Sequence, residues 1–200
     1  MQAASCTSAR PTLLWLQIVT LLWMLVECAV SEYAAFTAHS PALLAFGSDS
    51  LVELLSATVV LLQWTPRFTL SERTAARTAS VLLYALACIV VVIAILSVLL
   101  KRPPETSVPG IAITVAALVA MPVLAFFKRR EARRTGNIAL AADAVQSATC
   151  AWLAAITLAG LALNALFHIA WFDSLAALAA TPLLLKEARA AWRGHPGNCC

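Results

Sequence analysis

Charge is scarce in this chain. Only 12% of its 200 residues are Asp, Glu, Lys or Arg, and the mean hydropathy of +0.86 lies far outside the range of water-soluble domains. That scarcity excludes an ordinary soluble domain. The formal net charge of +4 is not a nucleic-acid signature, because the basic residues sit in short segments between apolar runs, where membrane topology accounts for them. The chain has no phosphate-binding loop, no nucleophile triad and no paired C-x-x-C spacing, so nothing points to an enzyme or a structural zinc finger. The six cysteines (Cys6, Cys28, Cys88, Cys150, Cys199, Cys200) show no disulfide framework. Three lie in apolar runs, two close the chain and one stands near its start, a pattern of free thiols.

What is present is apolar sequence of spanning length, repeated. Six spans are predicted, at roughly residues 12–30, 40–64, 79–100, 110–127, 137–166 and 173–192. The fold class is therefore an all-α membrane protein of six transmembrane helices. A single transmembrane domain over 1–200 is expected, with no soluble domain. A secretory leader is the competing reading of the first run; Glu27 interrupts the would-be cleavage region, and an even span count requires that helix. Short polar stretches separate the spans, among them a loop at Ser31–His39 and the basic run KRREARR from Lys128 to Arg134. With both termini cytoplasmic, only Lys101 and Arg102 of the 14 Lys and Arg residues fall outside. The basic run reads as a topology determinant in contact with anionic membrane lipid.

Two carboxylates stand well inside the second span, in SPALLAFGSDSLVELLSATVVLLQW. Asp49 and Glu53 are four residues apart, which on a helix means one face, offset by about 40°. A carboxylate at membrane depth costs roughly 2.5–3.5 kcal/mol on insertion scales, so such residues usually face a partner or a water-filled path. Span 5 carries a second polar stripe: Asp143, Gln146 and Cys150 at i, i+3 and i+7. From helical rise alone, Cys150 is level with Asp49 and Glu53 with Gln146, while Asp143 lies about a turn lower. No Lys or Arg is expected at that depth, so the acids point to a cation or proton site. Mixed oxygen and sulfur donors suit Zn²⁺ better than Mg²⁺, which prefers an all-oxygen octahedral shell. Taken singly, the commoner readings are a buried small hydrophobe for Cys150 and interhelical glue for Gln146, and Asp143 reads also as a helix-pair contact.

The segments HSPALLAFGSDSLVELLSA and ALAADAVQSATCAWLA resemble spans 2 and 5 of the cation diffusion facilitator superfamily. The likeness is to its short bacterial members, which lack the C-terminal cytoplasmic domain. It extends through MPVLAFFKRR and LNALFHIAWFDSLAALAATPLLLKEARAAWRG. The resemblance implies a transport site of four side chains, two at i, i+4 on each of these helices. Asp49 and Glu53 fall on the span 2 positions. Gln146 and Cys150 fall on the span 5 positions, where other members carry His or Asp followed by Asp. That departure leaves the fourth ligand open between Gln146, Cys150 and Asp143. The resemblance further implies a homodimeric inner-membrane exporter, with both termini cytoplasmic, that moves a divalent metal outward against inward proton flow. Zn²⁺ would be its cargo, with no tightly bound cofactor. The alternatives are a membrane-embedded interaction protein, or a proton or small-cation channel using the same acids.

Glu27 in span 1 is near Asp49 in depth and is a candidate proton acceptor, exit ligand or simple interhelical contact. His39, His168 and Asp173 cluster in the two short outer loops, where an exit vestibule is one reading. His195, Cys199 and Cys200 would suit metal capture at the cytoplasmic end, or lipid attachment.

Overall fold

The computed structural model describes residues 9–62, 72–100, 104–136, 138–167 and 171–193. Six helices account for almost all of them: α1 (Ala9–Ala38), α2 (Pro41–Leu62), α3 (Glu72–Leu99), α4 (Val108–Thr135), α5 (Ile138–Phe167) and α6 (Trp171–Trp192). There is no strand among the described residues. Four helices are long and apolar enough to cross a bilayer, over Trp15–Ala38, Ser80–Leu99, Val108–Thr135 and Asp143–Phe167. By that measure the described parts of α2 and α6 fall short. Those two helices carry Asp49 and Glu53, and Asp173, Lys186, Glu187 and Arg189, respectively.

The helices are apolar around most of their circumference. Trp15, Leu99 and Val108 are each more than two-thirds exposed, as lipid-facing side chains would be. The buried side is built from small residues: Ala42, Ala45, Ala87, Ala94, Ala117, Ala154, Ala177 and Ala180 join Phe46, Met24, Met121 and Leu184 in one core. Small side chains let helix backbones approach closely, the usual route to association where lipid removes the hydrophobic drive. Gly47 is a case in point: a Cβ there would stand 2.7 Å from Ser31 Oγ and 3.1 Å from the Glu32 backbone nitrogen. α2 occupies the centre, packing on α1, α3, α5 and α6, while α4 pairs with α5 and α3 with α6.

Two of the boundaries that differ from the sequence expectation matter to the site. The expected loop at Ser31–His39 is helical as far as Ala38, because Ser31, Ala34, Ala35 and Ala38 continue the buried stripe of Thr20, Met24, Glu27 and Cys28. The turn comes at His39, whose φ of 52° is left-handed, and Ser40 then opens α2 by accepting the Leu43 N–H at 3.1 Å. The basic run is likewise no loop. α4 continues to Thr135 and stops at Gly136, whose φ of 66° supplies the left-handed cap. Within that last stretch Lys128 and Ala132, one turn apart, are buried, while Arg129, Arg130, Arg133 and Arg134 are exposed. Helical periodicity thus turns one cation of the run inward.

Candidate metal centre

Asp49 and Glu53 lie on the inward face of α2, 1% and 6% exposed. Both carboxylate oxygens of Asp49 and Oε1 of Glu53 are buried without a hydrogen-bond partner. Buried polar atoms are paired in the great majority of cases, so three orphaned acceptors on one helix face require an explanation. They suit a protein that holds these oxygens ready for a cation.

Glu27 joins them from α1. It is fully buried, and its carboxylate accepts from Trp23 Nε1 at 2.6 Å, from Ser50 Oγ at 2.6 Å and from Cys150 Sγ at 3.3 Å. One side chain therefore ties α1 to α2 beside Asp49 and to α5 at Cys150. Ser31 Oγ, one turn along, donates to the Glu27 carbonyl, a local bond that leaves the carboxylate free for its three donors. Glu27 thus lies among the buried groups of α2 and α5.

On α5, Cys150 is fully buried and is a free thiol, like Cys28 and Cys88. Gln146, one turn away, is half-buried. Asp143 has a different environment from the one expected. Lys128 Nζ lies 2.9 Å from Asp143 Oδ2, a charge contact rather than an aligned hydrogen bond, and donates to Ser147 Oγ at 2.8 Å. The expectation that no Lys or Arg stands at the depth of the acids is thus corrected. α4 runs on as a helix and carries Lys128 against α5, within electrostatic reach of Glu53.

A further acid comes from α6. Glu187 lies against Asp49 and Thr149, with Oε2 buried and unpartnered. It was not among the expected site residues, because its neighbours Lys186 and Arg189 make the end of α6 read as a charged cytoplasmic terminus. The signal was present nevertheless. Glu187 follows buried Ala177, Ala180 and Leu184 on one helical stripe, whereas Lys186 and Arg189 point outward.

The end of the bundle at the α1–α2 turn separates from this cluster. Asp173 is buried but already engaged: its Oδ1 accepts from Ser40 Oγ at 2.7 Å and its Oδ2 from the Ala42 N–H at 3.2 Å, so it caps α2 from α6. His39 is exposed beside it, at the rim of a cavity of about 270 Å³ between the ends of α1, α2 and α3. That cavity is mostly apolar, with Phe36 and Leu100 exposed at its edge, and none of the acids of the cluster lines it. His168, His195, Cys199 and Cys200 lie outside the described residues.

As they stand, no three His, Cys, Asp or Glu side chains among the described residues converge tightly enough to hold a metal ion. The acids and the thiol are instead spread over α1, α2, α5 and α6 within electrostatic range of one another. A family model for the cation efflux transmembrane domain matches residues 70–193. The matched region takes in Lys128, Asp143, Gln146, Cys150 and Glu187, and leaves out α1 and the acids of α2. No curated protein matches the chain.

Proposed function

Because this chain belongs to the cation efflux family and is thereby a membrane transporter of metal cations, we propose that it exports a divalent transition metal, zinc foremost, in exchange for protons. The observation that carries the reading is the orphaned oxygen set on α2: both carboxylate oxygens of Asp49 and Oε1 of Glu53, buried and without an N–H or hydroxyl donor. Asp49, Glu53 and Cys150 are the proposed ligands. Glu27 is already hydrogen-bonded to Cys150 and to the neighbour of Asp49, and holds the two helices in register for them.

Binding and proton exchange are linked by the chemistry of these donors. A thiol and a carboxylic acid bind zinc only after losing their protons, so loading from the cytoplasm releases protons and reprotonation from outside helps expel the ion. Alternating exposure of a mid-membrane site by rocking of helices is the usual way such a cycle is completed. The orientation that goes with it places both termini in the cytoplasm of an inner-membrane protein. Association of two copies remains part of the proposal.

The test is transport by the full chain reconstituted into liposomes, with Zn²⁺, Mn²⁺, Fe²⁺ and Co²⁺ each offered against an imposed pH gradient. Saturable uptake that collapses with the gradient is expected for zinc. Asp49→Ala and Glu53→Ala should each abolish it while still giving folded protein. Wild-type uptake by either variant would remove the α2 site.

A further inference from the structure

Lys128 is the one basic side chain buried among the described residues, and it is buried completely. The exposed side chains of Arg129, Arg130, Arg133 and Arg134 suffice to mark a cytoplasmic end, so topology does not account for an ammonium inside the bundle. An unpaired buried cation is strongly unfavourable, and even a paired one rarely gains on an apolar substitute. Its placement therefore calls for a role. The ammonium faces Asp143 Oδ2 and Ser147 Oγ on α5, and it stands within electrostatic reach of Glu53 on α2. Glu53 in turn lies within electrostatic reach of Asp143, Asp49, Glu187 and Glu27, more acids than one cation can neutralise.

We propose that Lys128 is a tethered counter-cation of the cargo site, holding Asp143 away from the metal and offsetting the acids of α2 so that the ion is bound loosely enough to be released. The inference rests on the metal-transport reading above and deepens it. Without Lys128, Asp143 would be a free carboxylate about one turn below the ligand pair. A divalent ion would then meet a more negative, better-supplied site. Tight binding of that kind hinders a transporter, since cargo must leave as readily as it enters. Lys128 is thus a positioning residue acting through Asp143 and Glu53, and the ion pair sets affinity where the ligands set identity.

This role has a signature that simple packing lacks: the two members of the pair affect metal affinity in opposite directions. Equilibrium binding of Zn²⁺ to the full chain in detergent, read against a competing chelator, measures it. Lys128→Met should tighten zinc binding by about tenfold or more and slow turnover in liposomes, as expected from removing one unit charge near the site. Asp143→Asn leaves the ammonium facing Glu53 alone and should weaken binding by about tenfold on the same grounds. The double variant removes both charges together and should return to within about threefold of wild type. Single variants that shift affinity in the same direction, or not at all, overturn the proposal. If Lys128→Met alone fails to elute as a monodisperse species, the other two variants still decide. The double variant must bind zinc more tightly than Asp143→Asn, and equal affinity overturns the proposal. Asp49→Asn separates this inference from the reading beneath it. If zinc binding survives that change undiminished, the α2 site and the role of Lys128 fall together. Binding that depends on Asp49 but shows no opposite-signed pair removes Lys128 alone.

Discussion

Replacing Asp49 by Asn should make the metal-free protein more stable, and at the same time make it blind to metal. In the folded chain both Asp49 oxygens are buried and meet no amide, hydroxyl or ammonium donor, and the carboxyl of Glu187 lies against them. An unsatisfied buried polar group costs about 1–3 kcal/mol. Asn is nearly the same size, carries no charge, and supplies an N–H₂ that Glu187 can accept, so most of that cost is relieved. At about 2–4 °C per kcal/mol for a chain of this length, Asp49→Asn should melt about 2–10 °C higher than wild type in EDTA. Metal acts on wild type alone. Zinc at a hundredfold excess over its dissociation constant stabilises wild type by about 2.7 kcal/mol. That corresponds to a rise of about 5–10 °C. The variant should show none. Thermal unfolding in detergent, followed by intrinsic fluorescence with EDTA and then with zinc, reads both effects in one preparation. A variant that melts below wild type in EDTA would show that Asp49 holds the fold together, and would refute the idea that its oxygens are kept unpaired for cargo.

Glu27 should behave in the opposite way, since its carboxylate satisfies three donors. Glu27→Ala leaves Trp23 and Cys150 without this acceptor and Ser50 with the Phe46 carbonyl, and should lower stability by about 2 kcal/mol or more in the same melt. Cys150→Ser should weaken zinc and cadmium binding by about tenfold, or 1.4 kcal/mol, and manganese less, because the soft donor favours the first two ions. An unchanged zinc-to-manganese preference would take Cys150 out of the ligand set. Accessibility tags at both termini should report cytoplasm, and a tag in the segment between α3 and α4 should report the outside; a C-terminus on the outer side would overturn the proposed orientation.

The fold and the buried cluster of acids could largely be read from the sequence for one reason: a bilayer allows few answers. Spanning-length apolar runs must be helices, and an acid inside one must have a purpose. So the six helices, the i, i+4 pair of Asp49 and Glu53, and the equal depth of Glu27, Asp49 and Cys150 all follow from helical rise and period. What rise and period did not disclose is how far a helix continues past its apolar stretch. KRREARR reads as a loop because six of its seven residues are charged, yet a helix needs only one apolar or paired face to continue. Lys128 and Ala132 provide that face toward α5. The same blind spot hid Glu187, one inward-facing residue in a charged terminus, whose contact with Asp49 exists only once α6 is packed against α2. Both omissions have one physical root. Hydropathy averages over a turn of helix, whereas burial is decided residue by residue. A charge next to exposed charges is therefore read with them even when it points the other way. On the proposed reading, such residues set how strongly an ion is held. Asp143 makes the point: by its stripe it is a candidate ligand, and Lys128, from a segment that reads as solvent-facing, already engages it.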